Sequence, residues 1–220
     1  QIPSQTILPS GALAIVIDRS GSMGATVGGT NQTQMELAAE AAILAINTLY
    51  PQDMVCVVAF DARAHMIVET QLNSDPQAIA KKIRSIRPEG GTESYYGLEM
   101  AHEELAPLTM QDAAVKHVIL LTDGMSGETI VGGYVEMLGK LRKSGITLST
   151  VGVGDGHNKQ ILNQLAQMGG GNYHPIVNPA SLPQVFIKEA KTIRKNLVKE
   201  VPFTPTILPT GSPIMSGITG

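Results

Sequence analysis

The stretch that decides the fold is Ala12-Leu13-Ala14-Ile15-Val16-Ile17-Asp18-Arg19-Ser20-Gly21-Ser22, an apolar run that ends in a polar loop. Its β-branched, uninterrupted apolar part indicates a strand that is buried on both faces, as in a parallel sheet. In open sheets of parallel strands, ligands bind beyond the carboxyl ends of the strands. The polar residues that follow this run are therefore candidates for a functional site.

Comparable apolar runs recur along the chain, separated by segments with helical periodicity. The predicted strands cover residues 12–17, 54–60, 64–68, 118–122 and 146–153, with a short one near Tyr173. The third follows the second too closely for a helical crossover, so it is predicted to be an antiparallel edge strand. The fold class is therefore α/β, a three-layer doubly wound (Rossmann-like) fold. We expect a mostly parallel six-stranded sheet in the order 3-2-1-4-5-6.

Apolar residues between the strands recur at spacings of three and four, which is typical of helices with one buried face. This pattern predicts six helices. Their buried faces are predicted to carry Met35, Ala39, Ala42, Ile46 and Leu49; Ile79, Ile83 and Ile86; Leu98, Ala101 and Leu105; Val131, Val135 and Leu138; Ile161, Leu165 and Met168; and Leu182, Phe186 and Ile193. Basic residues before Gly145 and the glycines after Met168 indicate two helix ends.

Composition excludes several classes of protein. Lys and Arg number 16 against 19 Asp and Glu, without a basic stripe, so nucleic acid is not an expected partner. No apolar stretch approaches the about 20 residues that a membrane-spanning helix needs, so no membrane contact by this domain is expected. The single cysteine, Cys56, lies inside an apolar run and is predicted to be a buried, inert thiol.

The chain is predicted to divide into three parts. Residues 1–11 form an N-terminal tether, residues 12–200 form the domain, and residues 201–220 form a Pro/Gly-rich linker to a missing downstream region. Because the chain opens at Gln1 without a signal-peptide pattern, we expect it to be a piece of a longer protein.

Oxygen-bearing side chains follow the predicted strands at three places. Asp18, Ser20 and Ser22 follow the first strand, Asp123 follows the run at 118–122, and Thr92 lies between them at the start of a helix. All five offer oxygen and none offers nitrogen or sulfur, a set that suits a hard divalent cation, Mg²⁺ first and then Mn²⁺ or Ca²⁺.

This arrangement resembles the metal-ion-dependent adhesion site of von Willebrand factor type A domains. The resemblance covers about residues 12–197 and rests on Asp18-x-Ser20-x-Ser22, Thr92 and Asp123 in the family's order. It implies that the three hydroxyls bind the metal and that the two carboxylates contact it directly or through water. It further implies an open coordination position that accepts an Asp or Glu of a protein partner. The function implied is metal-dependent protein binding and adhesion, without catalysis.

Residues beside the metal loops are candidates for partner contact, namely Arg19, Met23, Tyr95, Tyr96 and Met125. Asp61 follows a strand as well, but we interpret it as a turn residue and not as a sixth ligand. The five histidines are scattered, and structural roles are expected for them, with His102 nearest to the metal loops.

Two alternative functions are each compatible with part of the sequence. A metal-dependent phosphohydrolase is disfavoured because phosphatases of the haloacid-dehalogenase type place a second Asp where this chain has Ser20. A rigid spacer or regulatory domain of a larger protein is the other alternative. The residues from Leu197 through 202–205 and 212–215 resemble a segment of large bacterial membrane proteins with a glutamine-amidotransferase-like domain, which implies the soluble part of a membrane-anchored bacterial protein.

Overall fold

The structure, a computed structural model, describes residues 10–28, 31–124, 132–154 and 156–197. These residues contain a six-stranded sheet in the order β3-β2-β1-β4-β5-β6. The strands are β1 (Gly11–Asp18), β2 (Met54–Phe60), β3 (Ala64–Leu72), β4 (Val115–Thr122), β5 (Ile146–Val153) and β6 (Gly170–Ile176). β2 and β3 are antiparallel, and the other neighbouring strands are parallel. The predicted fold class and strand order are confirmed.

Helices cover both faces of this sheet. They are α1 (Gln34–Ile46), α2 (Pro76–Ile83), α3 (Ser94–Leu105), α4 (Gly132–Lys143), α5 (Lys159–Met168) and α6 (Leu182–Leu197). α1, α2 and α6 pack on one face, and α3, α4 and α5 pack on the other. Side chains of β1 alternate between the two apolar layers, with Ile15 and Ile17 in the first and Ala14 and Val16 in the second.

The helices start and end at residues with the expected chemistry. Thr33 begins α1 with a capping box, in which its side chain accepts from the amide of Glu36 and the Glu36 carboxylate accepts from the amide of Thr33. Asp75 caps α2 at a Pro-containing first turn. Gly145 ends α4 with a φ of +67°, after basic residues in the last turn. The predicted end of α4 is therefore confirmed.

Two predicted helix faces need correction. Val135 is 50% exposed, and α4 instead buries Tyr134, Met137, Leu138 and Leu141. Val131, which was also predicted on this face, lies outside the described residues. Met168 at the end of α5 is 42% exposed. Leu138 is buried as predicted, but the prediction for Val135 was wrong, because the helix includes glycines and an amphipathic Tyr that leave its apolar periodicity poorly defined.

Cys56 lies fully buried in β2, as predicted, and burial raises the pKa of its thiol to about 12. Among the described residues, no helix combines the length and the apolar character needed to cross a membrane. The predicted tether lies almost wholly, and the predicted linker entirely, outside the described residues. The three-part division of the chain therefore stays a prediction.

Candidate metal centre

The predicted ligands lie at the carboxyl edge of the sheet, where β1 and β4 end side by side. Asp18 is the last residue of β1, and Asp123 directly follows β4. Ile17 pairs with Leu121, so the next residues, Asp18 and Thr122, are level with each other. The hydroxyl of Thr122 donates to Asp18 Oδ2 at 2.5 Å. The two strand ends are therefore joined by a side-chain hydrogen bond.

A chain of hydrogen bonds continues through the loop after β1. The amide of Ser20 donates to Asp18 Oδ1 at 2.8 Å. Ser20 Oγ lies 3.0 Å from Ser22 Oγ, which in turn donates to Asp123 Oδ1 at 2.8 Å. We call this set the crown cluster, and it comprises Asp18, Ser20, Ser22, Thr122 and Asp123. Four of the proposed ligands are thus hydrogen-bonded in series, each to the next.

The fifth proposed ligand, Thr92, belongs to a loop that runs beside the first. The amide of Glu89 donates to the carbonyl of Arg19 at 2.6 Å, and the amide of Gly21 donates to that of Gly90 at 3.2 Å. Glu93, the residue after Thr92, donates its amide to the carbonyl of Asp61 at 2.7 Å. Backbone bonds therefore hold this loop in place on both sides of Thr92.

The two carboxylates of the crown cluster are electrostatically unfavourable as they stand. Asp18 is fully buried, and burial raises its pKa to about 6, with a small further contribution from the charge of Asp123. Burial also raises the pKa of Asp123, against the opposing effects of Ser22 and the nearby His157. Across the described part of the chain, no Lys or Arg forms an ion pair with either carboxylate.

The donor set fits a hard cation. Two carboxylates face hydroxyls, and the outermost of these, Ser22, is exposed to solvent. Within the described ranges, no group of three or more His, Cys, Asp or Glu side chains is arranged to hold a metal, so a site here depends on the serine and threonine oxygens. Oxygen-only donor sets favour Mg²⁺, Mn²⁺ or Ca²⁺ over softer metals.

The structure changes the list of candidate partner contacts. Met23 was predicted to reach the rim, but it is fully buried, because the short 3-10 turn at Gly21–Gly24 directs it into the core beside α1. Arg19 is largely buried and engaged in ion pairs at 3.0 Å or less. Tyr96 is 47% exposed, and the partly buried Tyr95 contacts its ring edge to face. Met125 lies outside the described residues.

The histidines occupy structural positions. His102 was expected nearest to the metal loops, but it lies near the C-terminal end of α3, the end away from Thr92. Its Nε2 lies 3.2 Å from Ser144 Oγ, just after α4. His157 is the histidine beside Asp123, and its Nε2 lies 2.8 Å from the hydroxyl of Tyr173. The prediction missed this because His157 reaches the site only through the loop after β5.

Asp61 accepts from the amide of Arg63 at 3.1 Å, as a turn residue does.

Sequence reasoning also missed a second polar cluster, which lies beneath α6. Glu189 accepts from Ser149 Oγ at 2.6 Å and from Asn172 Nδ2 at 3.2 Å. Its oxygens lie 2.7 Å from His174 Nε2 and 3.2 Å from His117 Nε2. We call these five residues the Glu189 cluster. Its members lie on β4, β5, β6 and α6, and the parallel register of the three strands together with the packing of α6 brings them together.

Comparison with known proteins identifies a relative of similar sequence. The chain is 31% identical over 174 residues to sll0103 of Synechocystis sp., a match that covers 79% of this chain and 39% of that protein. The chain thus spans about two fifths of this relative's length.

Several solved structures share this fold. A von Willebrand factor type A protein from Catenulispora acidiphila gives a TM-score of 0.73 at 24% identity, covering 84% of this chain and 43% of that one. Proximal thread matrix protein 1 of the mussel byssus, with a zinc-occupied MIDAS motif, gives a TM-score of 0.69 at 24% identity, covering 84% of this chain and 46% of that one. The vWF domain of the type V pili tip protein Mfa5 from Porphyromonas gingivalis gives a TM-score of 0.68 at 17% identity, covering 90% of this chain and 99% of that one.

The family model for the von Willebrand factor type A domain matches residues 12–187, which span the sheet and most of the helices. This match extends over far more than half of the chain and includes every proposed metal ligand. The chain therefore belongs to the von Willebrand factor type A domain family.

Proposed function

We propose that this domain is a divalent-cation-dependent protein-binding module. The observation that carries the proposal is the crown cluster, in which two buried carboxylates face hydroxyls without a Lys or Arg partner among the described residues. Burying anionic groups is unfavourable unless an opposite charge compensates them. A divalent cation supplies that charge, and Mg²⁺ is our first assignment, followed by Mn²⁺ and Ca²⁺.

The proposed ligands have distinct roles. Ser20, Ser22 and Thr92 bind the cation through their hydroxyls, and Asp18 and Asp123 balance its charge directly or through water. Neutral hydroxyls donate little charge, so the cation stays electrophilic on its open side. An Asp or Glu carboxylate of a partner protein completes the coordination there, because opposite charges attract strongly in a partly desolvated site.

Relatives of known architecture support this assignment. The mussel byssus protein with a zinc-occupied MIDAS motif supports divalent metal binding by the fold, and the pili tip domain supports a role in adhesion. The chain spans about two fifths of the Synechocystis relative, and we propose that it is the binding module of a larger bacterial protein, one that is anchored in a membrane. We assign no reaction to it, since Ser20 stands where a phosphatase needs a second carboxylate.

Calorimetric titration with Mg²⁺, Mn²⁺ and Ca²⁺ tests the metal site. Wild-type protein should bind one cation, and Asp18→Asn should abolish detectable binding, because it removes the charge that the cation offsets. Asp53→Asn is the matched control, since Asp53 is also fully buried and accepts backbone amides, at 3.0 Å from Gly11 and 2.8 Å from Tyr50. Equal loss of binding in both variants would contradict the assignment of Asp18.

To test the proposed metal bridge, a partner protein is first captured with the intact protein in the presence of Mg²⁺. Its binding should be lost with a chelator, with Thr92→Ala, and after neutralisation of one acidic residue on the partner. Tyr96→Ala should weaken binding while leaving metal affinity unchanged, since Tyr96 is exposed beside the metal loops. A partner whose affinity is indifferent to both the chelator and Thr92→Ala would refute the metal bridge.

A further inference from the structure

Three segments of the chain meet at the side chain of Arg19. Its Nε lies 3.0 Å from Asp61 Oδ2, and its terminal NH2 nitrogen donates to Glu89 Oε2 at 2.7 Å. Arg19 stands between the metal loop residues Asp18 and Ser20, Asp61 follows β2, and Glu89 precedes Thr92. One guanidinium group thus links the first metal loop, the turn after β2 and the loop that carries Thr92.

The Asp61 end of this link is the better shielded from water, although Arg19 Nε forms no hydrogen bond with the carboxylate there and the attraction is one of charge. The side chains of Arg19 and Asp61 are only 15% and 9% exposed, whereas that of Glu89 is 76% exposed. An ion pair shielded from water contributes more than an exposed one. His65 Nε2 lies 3.0 Å from the same Asp61 oxygen, which further fixes the carboxylate.

Asp61 also contacts the Thr92 loop directly. Gly90 has a φ of +78°, and a Cβ atom there would lie 3.0 Å from Asp61 Cβ, so the backbone at Gly90 packs tightly on this side chain. The amide of Glu93 donates to the Asp61 carbonyl at 2.7 Å. Thr92 therefore lies between two residues that are both held by Asp61.

We propose that Arg19 is a positioning residue of the metal centre and not a partner contact. Arg19, Asp61 and Glu89 form what we call the Arg19 clamp, which fixes the loop of residues 88–92 and hence the hydroxyl of Thr92 relative to Ser20 and Ser22. This inference rests on the proposed function. It assigns Arg19, Asp61 and Glu89 to each other, which leaves the exposed Tyr96 to contact the partner.

The charge of Arg19 makes the proposal sharply testable. Direct repulsion between a guanidinium and a cation lowers metal affinity, so if charge alone mattered, neutralising Arg19 would strengthen binding. The clamp has the opposite consequence, because a loop that is no longer fixed presents Thr92 less often in the binding geometry. Loss of residues that orient metal ligands costs about 10- to 100-fold in affinity.

The experiment is a calorimetric titration of the full chain with Mn²⁺, comparing wild type with Arg19→Met and Arg84→Met. Arg84 is the matched control, since it forms a comparable 2.9 Å ion pair with Glu40 on α1. We expect Arg19→Met to weaken binding about 10- to 100-fold and Arg84→Met to leave it unchanged. Affinity equal to or tighter than that of wild type in Arg19→Met would overturn the clamp alone. Failure of wild-type protein to bind Mn²⁺ would refute the proposed function and the clamp with it.

Amide hydrogen exchange of the metal-free chain separates positioning from general destabilisation. In Arg19→Met, the amides of Glu89 and Glu93 should exchange faster, while the amide of Ser20, which is held by Asp18, should not change. Uniformly faster exchange across the domain would contradict a local clamp. If Arg19→Met does not fold, Asp61→Asn gives the same readout, since its remaining side-chain oxygen can still accept from Arg63.

Discussion

Two buried carboxylate clusters in this domain have opposite electrostatics. In the Glu189 cluster, burial alone would raise the pKa of Glu189, but contacts from His117, His174 and Ser149 hold it well below its usual range. In the crown cluster, burial raises the pKa of Asp18 to about 6, because hydroxyls and an amide do not offset it. Contacts from histidines and a serine more than offset the cost of burying the Glu189 charge, whereas the hydrogen bonds that Asp18 accepts do not offset the cost of burying its charge.

This difference separates a structural polar cluster from the cluster that we propose binds a cation. A buried carboxylate that is surrounded by its own donors stabilises the fold and has little affinity left for an added ion. A carboxylate that is buried without a counter-charge costs stability until an external cation arrives. Perturbed pKa values therefore mark functional sites most usefully when their direction and cause are considered together.

The largest expected effect comes from removing the satisfied carboxylate. Glu189→Ala should lower the free energy of unfolding by about 3–5 kcal/mol, because it removes the fully buried carboxylate that His117, His174, Ser149 and Asn172 share. Urea denaturation checks this value. Metal affinity should be unchanged, and Glu40→Ala, in an exposed ion pair, should have little effect on stability. A stability loss for Glu189→Ala no larger than that of Glu40→Ala would contradict the assigned role.

The pH dependence of the Glu189 cluster follows from the lowered pKa. The stability that it contributes is present above the pKa of Glu in the unfolded chain, about 4.3, and is lost as the pH falls through the lower folded value. Wild-type protein should therefore lose stability below about pH 4, and Glu189→Ala should lack this component.

The next largest effect concerns Asp18 in the metal-free protein. Because its folded pKa is raised, its contribution to stability is present below the unfolded value of 3.8 and is lost as the pH rises through about 6. Asp18→Asn should therefore stabilise the metal-free domain at pH 8, by at most about 3 kcal/mol. Asp53→Asn, which weakens two backbone hydrogen bonds, should destabilise it. Thermal unfolding in chelator measures both, and destabilisation by Asp18→Asn would show that the crown cluster is satisfied without a cation.

The smallest effects on stability distinguish the serines of the two clusters. Ser149→Ala removes a buried donor to Glu189 and should cost about 1–3 kcal/mol without changing metal affinity. Ser22→Ala removes an exposed bridge between Ser20 and Asp123 and should cost about 1 kcal/mol or less, yet should weaken Mg²⁺ binding. Urea denaturation measures the stability of both variants, and calorimetric titration measures their affinity for Mg²⁺. Equal effects of both variants on metal affinity would remove the distinction between the clusters.

Much of the fold was predictable because its signals are local. Apolar runs such as those of β2 and β5 predicted both strands with their observed bounds. The helix face of α4 was not predictable to the same degree, since its glycines weaken the periodicity. Met23 was misplaced because its burial depends on a single tight turn, whose direction the residue pattern does not determine.

The candidate site was predictable only in part. Asp18, Ser20, Ser22 and Asp123 were proposed together, and the structure brings them together. Thr122 was predicted only as a strand residue. A threonine at a strand end suits both a strand position and a side-chain hydrogen bond to Asp18, and the sequence does not distinguish the two. The Glu189 cluster had no sequence signal, since its members lie on three strands and a helix and each, taken singly, resembles an ordinary surface residue.

The most direct test of the central claim is thermal unfolding with and without Mg²⁺ at pH 7.5 and pH 5, for wild type and Asp18→Asn. We expect Mg²⁺ to stabilise wild type at pH 7.5, by about 2.7 kcal/mol at a hundredfold excess over the dissociation constant. The gain should shrink at pH 5, because protons compete with the cation for Asp18, whose pKa is about 6. Asp18→Asn should show no gain at either pH. The same Mg²⁺ stabilisation in wild type and Asp18→Asn, or none in wild type at pH 7.5, would contradict the proposed metal site.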